Sequence, residues 1–466
     1  MTRRKEWGIA AGVIVLVTGA IVAMIAYNRR TLQQIQHEIY VPQRPKLTSE
    51  IELLQRYVRI DTSNPPGNEL PGAKFLAALL ANAGVKYEII ESAPRRANLY
   101  ARIKGKRSGE GLILINHIDV VPAAPKYWHV PPFSGAILIN MVHGRGSADM
   151  KSIALCQLEA FLDVARSRKQ PERDLIFLAT ADEEEGSILG TRWLLEHRPD
   201  VFEGAKYLLT EGGVTEMLKE QVTYFGIETG SKQTSEVELT ADDEATLLRL
   251  RIELEPYFHP HDPDRVLPGV KRFFTAVAPQ RIESKELLVD IDATLANGKF
   301  WLLPDTMREL LQNSVFMRGV RRLPDGRFGT TVIFSNLPDE DPDRRLRWLT
   351  DFIASRGAVV ATVKRKEGPA PISPDDTPLF AMIAQEVRRE LGDIPVGPEV
   401  LGVSTNDARF LRARGMICYG LQPFPLDFFQ SRSIHGIDER IRADWYLSGV
   451  RLMKRIVSGY AFGPQS

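Results

Sequence analysis

The chain has 466 residues, of which 44% are hydrophobic and 26% charged, a composition that excludes a disordered or fibrous protein and leaves room for two domains. Sixty basic against 59 acidic side chains give a net charge of +1, so no nucleic-acid or polyanion partner is expected. With only Cys156 and Cys418 present, a disulfide framework is excluded and both cysteines read as packing residues.

Gly8 to Tyr27 is a run of 20 uncharged residues, flanked by Arg3, Arg4 and Lys5 on one side and Arg29 and Arg30 on the other. As a helix it is long enough to cross about 30 Å of hydrocarbon. A cleavable signal peptide would have a core of about 7–15 residues and a small-x-small site, and this segment fits neither requirement. Residues 1–30 are therefore expected to be a single-pass membrane anchor. The flanking charges slightly favour a cytoplasmic amino terminus, which places the remainder on the extracytoplasmic side. A tether over 31–45, through Pro42 and Pro45, leads to a helix expected from Ser49 to Ile60 and a loop from Asp61 to Glu69.

Leu112 to Ile115 is an apolar run of the kind buried on both faces of a sheet, and it ends in His117-Ile118-Asp119. Residues two apart in a strand share a face, so Asp119 is placed to orient the His117 imidazole. His143 to Lys151 is a glycine-rich turn that delivers Asp149 at the start of a helix expected over Ser152 to Ala165; a helix cap is the simpler role for Asp149. Leu175 to Thr180 is a second buried run, followed by Asp182-Glu183-Glu184-Glu185-Gly186. Adjacent carboxylates there repel unless something positive lies between them. Tyr207-Leu208-Leu209-Thr210 is a third such run, ending in Glu211-Gly212-Gly213. Later, Ser433 to Arg440 carries His435 and Glu439 ahead of an amphipathic stretch over Ala443 to Tyr460. In an open α/β sheet, residues that close separate strands converge at the carboxyl ends, and two histidines with three or four carboxylates suit a pair of zinc-like ions. Asp149 is the natural bridge between them.

His117-x-Asp119-Val-Val-Pro, Trp128 with Pro131-Pro132-Phe133-Ser134-Gly135, Gly144-Arg145-Gly146-Ser147-Ala148-Asp149-Met150-Lys151, Asp182-Glu183-Glu184-x-Gly186, and His435-Gly436 with Glu439 occur in this order. Together they resemble the co-catalytic dizinc peptidase family of aminoacylase, carboxypeptidase S, carboxypeptidase G and acetylornithine deacetylase, with the nearest likeness to the membrane-associated carboxypeptidase S and N-acyl-amino-acid hydrolase branch. The resemblance implies an α/β fold: a three-layer catalytic domain with a mostly parallel central sheet over 46–221 and 368–466, and an inserted smaller α+β lid domain over 222–367. It implies that His117, Asp149 and Glu211 hold one Zn2+ and Asp149, Glu184 and His435 the other, with Co2+ or Mn2+ as alternatives. Glu183 would be the general base, Asp119 the orienter of His117, and Asp149-Met150 a cis peptide.

The lid departs from the family. Where relatives carry a histidine, the chain reads Leu239-Thr240-Ala241-Asp242-Asp243-Glu244-Ala245; His259 and His261 are the candidate substitutes, with a surface proline-rich loop as their simpler reading. Where relatives carry an arginine for the substrate carboxylate, it reads Val332-Ile333-Phe334-Ser335-Asn336-Leu337-Pro338. Arg409, in Ser404-Thr405-Asn406-Asp407-Ala408-Arg409, is the substitute candidate for that carboxylate, with a salt bridge to Asp407 or a neighbour as its structural alternative. Homodimer formation is left open by these changes. The expected function is a membrane-anchored hydrolase of an amide or peptide bond beside a free carboxylate, in an N-acyl amino acid or short peptide. A metal-binding scaffold that no longer catalyses, and a dipeptidase or aminopeptidase of the same fold, are the alternatives.

Overall fold

The computed structural model describes residues 47–463 apart from 214, 219, 259–264, 367–370 and 403. The expected anchor, the tether, His259 and His261 lie outside the described residues. Among the described residues, no helix is long and apolar enough to cross a membrane. The described residues of Leu47–Ile137 and of 141–463 form one compact unit.

The apolar runs become strands of one central sheet. Its strands are β1 (Tyr87–Ala93), β2 (Arg96–Ile103), β3 (Arg107–His117), β4 (Arg173–Thr180), β5 (Ala205–Thr210), β6 (Gln221–Ser231), β11 (Val396–Leu401) and β12 (Ile417–Gly420), with β7 (Gln233–Ala241), β8 (Ser314–Met317), β9 (Phe328–Asn336) and β10 (Val360–Lys366) belonging to a second sheet between them. The central order is β1-β2-β4-β3-β5-β12-β6-β11, and Thr215–Leu218 pairs with β6. β3 runs parallel to β4 and β5, and β5 parallel to β12, so this part of the sheet presents its carboxyl ends on one side.

Every residue of β4 is buried, as a strand covered on both faces requires. Alternate side chains feed two cores. Leu175 and Phe177 join Phe161, Met453 and Ile456 from the helices Lys151–Arg166 and Ala443–Phe462. Ile176 and Leu178 join Leu194, Leu208 and Leu411 on the other face. Cys156 and Cys418 are free and buried, one in each of these cores.

The second sheet has the order β8 (Ser314–Met317), β9 (Phe328–Asn336), β7 (Gln233–Ala241), β10 (Val360–Lys366), all antiparallel, with Arg321–Arg322 paired to β9. The helices Glu244–Phe258 and Pro342–Ala354 cover it through Leu247, Leu250, Leu346 and Leu349. All of β6 but Gln221 falls within the segment 222–367, yet the strand pairs with β11 and β12 of the central sheet. Its run continues into β7 through Lys232, which is buried and paired with Glu309 at 2.9 Å. The helical stretch beginning with Pro268–Val277 packs Val270 and Phe274 with Tyr224 of β6 and Val400 of β11.

Candidate active site

His117 is the last residue of β3, and in the parallel register it lies opposite Thr180, the last residue of β4. Glu183 and Glu184 follow Thr180 in a single helical turn entered through Asp182, which adopts φ +68°. Glu211 follows β5 directly. Asp149 stands just before the helix Lys151–Arg166 without capping it, and the Asp149–Met150 peptide is cis. His435 follows the short helix Phe428–Ser431 at φ +58°.

These residues converge. Asp149 lies between the two imidazoles, with Oδ1 3.1 Å from His117 Nε2 and Oδ2 3.1 Å from His435 Nε2. His117 Nε2 is also 3.5 Å from Glu211 Oε1, and His435 Nε2 is 3.1 Å from Glu184 Oε2. Ligand-type atoms of His117, Asp149 and Glu184, and of His117, Glu183 and Glu211, all lie within 4.8 Å of one another. Glu183 and Glu184 are largely buried.

Asp119 orients His117 differently from the strand-face expectation. β3 ends at His117, and it is the main-chain oxygen of Asp119 that contacts Nδ1, at 2.9 Å, while the nearer carboxylate oxygen is 3.7 Å away. A carbonyl only accepts, so Nδ1 carries the hydrogen and Nε2 faces Asp149 and Glu211. The Asp119 carboxylate instead accepts from the main-chain N–H groups of Glu183, at 3.1 Å, and Glu184, at 3.2 Å. It therefore fixes the turn that carries both glutamates.

The electrostatics are those of a site built for positive charge. Burial and the Asp149 charge push Glu211 up to about 8 and raise Glu184. Burial lifts Glu183 well above the carboxylate range. Although burial works against the cation, the charges of Glu211 and Asp149 hold His117 well above an ordinary histidine. Hydrogen bonds to Asp149 and Glu184 push His435 up to about 11, and those to His117 and His435 hold Asp149 far below its usual value against the effect of burial. Without ions the cluster must share protons among crowded carboxylates. Glu184 Oε1 is also buried with no hydrogen-bond partner. The nitrogen and oxygen donor set thus fits a pair of divalent ions.

Three supporting residues had no assigned role in the sequence. Asn64 Nδ2 donates to Asp119 Oδ2 at 2.9 Å and Asp182 Oδ1 at 3.0 Å, separating two buried carboxylates. Glu439, wholly buried, accepts from Arg145 Nη1 at 2.6 Å and from the main-chain N–H groups of Gly146, Ala148 and Asp149 at 3.0, 2.8 and 3.1 Å. Arg145 Nη2 reaches the Gly436 oxygen at 2.8 Å, so one ion pair joins the Asp149 and His435 loops. Burial raises the Glu439 carboxyl and the Arg145 charge draws it back. Arg145 and Glu439 were visible within the motifs, but nothing local revealed their pairing.

Arg409 is buried beside Glu183, with Nη1 3.8 Å from Glu183 Oε1 and donating to the Asn406 oxygen at 2.7 Å. That approach to Glu183 is a salt bridge to a neighbour, while the Asp407 carboxylate accepts from the hydroxyls of Ser187 and Thr191. A cavity of about 320 Å³ opens over Asp149, Glu183, Glu184, Glu211 and His435, with Leu401, Leu426 and Ile434 in its wall. Larger clefts, about 490 and 620 Å³, carry none of these residues.

Residues 113–459 match the profile of Peptidase family M20/M25/M40, a span that contains every member of this cluster. The chain belongs to that family. Among curated relatives, it is 35% identical over 160 residues to the succinyl-diaminopimelate desuccinylase of Bradyrhizobium sp. (strain ORS 278), an alignment covering 33% of this chain and 41% of that protein. It thus spans less than half of the length of that relative. The human N-fatty-acyl-amino acid synthase/hydrolase PM20D1 is 21% identical over 419 residues, 82% of this chain and 80% of that protein. The M20 family metallo-carboxypeptidase of Sulfolobus solfataricus has the same fold, with a TM-score of 0.68 at 18% identity over 89% of this chain and all of the other.

Proposed function

We propose that this M20-family chain hydrolyses an amide or peptide bond next to a free carboxylate, in an N-acyl amino acid or a short peptide. The observation that carries the reading is the placement of Asp149 between His117 and His435, with Glu183, Glu184 and Glu211 in the same cavity. In this reading His117, Asp149 and Glu211 hold one ion and Asp149, Glu184 and His435 the other, zinc first, with cobalt or manganese compatible with the same donors. When bound, such ions supply the positive charge that polarises the scissile carbonyl and acidifies water.

Glu183 takes a proton from water at a carboxylate oxygen and passes it to the departing nitrogen. Its burial supports this role, because a desolvated carboxyl binds a proton more readily than one in water. Asp119 keeps Glu183 aimed through its main-chain N–H, and Arg409 brings positive charge toward the substrate carboxylate from beside Glu183. The long alignment with a human protein named for N-fatty-acyl amino acids supports an N-acyl amino acid as substrate. We further infer that Gly8–Tyr27 attaches the chain to a membrane, and that 46–221 with 368–466 form the catalytic part around a lid within 222–367.

The test is amine release across N-acyl amino acids and dipeptides, with metal added. Glu183→Gln should lower turnover by about 10²–10⁴-fold while metal content stays unchanged. Unchanged turnover would remove Glu183 from the chemistry.

A further inference from the structure

Beneath Glu211 lies a buried charged network that the reading above does not use. Glu228 on β6 and Arg412 are both almost inaccessible, and Arg412 Nη2 lies 2.7 Å from Glu228 Oε1, an ion-pair contact without hydrogen-bond alignment. Arg412 also donates to the Cys418 oxygen at 3.1 Å and to Ser373 Oγ at 3.3 Å. The other Glu228 oxygen accepts from Asn406 Nδ2 at 2.9 Å. That same amide donates to the main-chain oxygen of Glu211 at 3.0 Å.

We propose that Asn406, held by Glu228, is a positioning residue for Glu211; the inference rests on reading Glu211 as a metal ligand. The backbone explains the need. Gly212 and Gly213 adopt φ +116° and +79°, a conformation open to glycine, and two such residues leave the preceding peptide weakly held. The close approach of the network is also why side chains are missing there. A Cβ on Gly212 would meet Glu228 Oε2 at 2.9 Å and Asn406 Nδ2 at 3.0 Å, and one on Gly213 would meet the Gly226 oxygen at 2.3 Å. The glycines admit the Asn406 amide, and the amide supplies the order the glycines remove. Glu228 fixes Asn406 and is itself neutralised by Arg412, so the clamp needs no solvent contact. Partners of this kind, one bond removed from a ligand, typically change metal affinity about 10–100-fold when lost.

The test is cobalt titration of the full chain against a competing chelator, followed by visible absorption, which resolves two dissociation constants. Asn406→Ala leaves the Glu228–Arg412 pair intact. One constant should weaken about 10–100-fold and the other should hold, with the ion-free protein melting lower only by the loss of the amide's own hydrogen bonds to Glu211, Glu228 and Ala408. Both constants unchanged in a folded variant would overturn the proposal, as would both weakening together with a lowered melting temperature, the signature of a structural role. Asn406→Ser, a shorter donor, is the second variant; if neither variant folds, the residue serves the fold and the proposal fails. A wild-type chain that takes up no pair of ions would instead overturn the metal-site reading, and this inference with it.

Discussion

Replacing Glu439 with glutamine tests whether one buried carboxylate assembles the site. The substitution keeps the volume but leaves a single acceptor oxygen. Two of the four donors now aimed at Glu439, drawn from Arg145, Gly146, Ala148 and Asp149, would then face an amide NH2. Arg145 is 3% exposed and would lose its counter-charge, keeping the Gly436 oxygen as an acceptor. Breaking a buried ion pair on one side costs about 3–5 kcal/mol. Urea unfolding of the ion-free protein at fixed pH should show that loss as a lower midpoint at unchanged slope. Because the Asp149 amide is among the four donors, metal affinity should also fall, by about 10–100-fold. A stability loss below about 1 kcal/mol, the size of one ordinary hydrogen bond, together with unchanged metal affinity, would refute the reasoning.

Asn64→Ala should leave the Asp119 and Asp182 carboxylates facing each other without their shared donor; amine release should fall about 10–100-fold, and Asn64→Asp should be worse, with equal rates counting against the bridging role. Lys151 is wholly buried, with Nζ donating to the Ile60 oxygen, and burial pushes its amine down to about 7. The unfolded chain binds its proton up to about pH 10.4, so the stability set by Lys151 is full above that value and is lost as pH falls toward 7. Lys151→Met should therefore stabilise the protein near pH 7, by up to about 4 kcal/mol, with the gain shrinking toward pH 10; a gain independent of pH would contradict the assignment. Removing metal with a chelator should lower the melting temperature, and restoring free ion should raise it with the logarithm of the ion concentration; a melting curve indifferent to chelation would argue against occupied sites.

Much of the site was legible because it follows a local rule. His117, Glu183, Glu184 and Glu211 each stand at or just beyond the end of an apolar run, and parallel strands of one sheet bring such ends together whatever their distance in sequence. The runs themselves, from Leu112 and Leu175, are long and apolar because both faces of the sheet are covered. Tertiary structure decided the rest, because partner choice leaves no periodic trace. Glu439 meets Asp149 from 290 residues away, and Asn406 meets Glu211 from 195. β6 reads no differently from a lid strand, yet it pairs in the central sheet. Asp119 was expected to orient His117 with its carboxylate, but the end of β3 at His117 turns the chain so that the main-chain oxygen does so and the carboxylate anchors the glutamates. The sequence by itself determined which residues could carry the chemistry, because side-chain type and strand-end position are local. Only the folded chain decided what holds them in place, because those hydrogen bonds join segments that are neighbours solely in three dimensions.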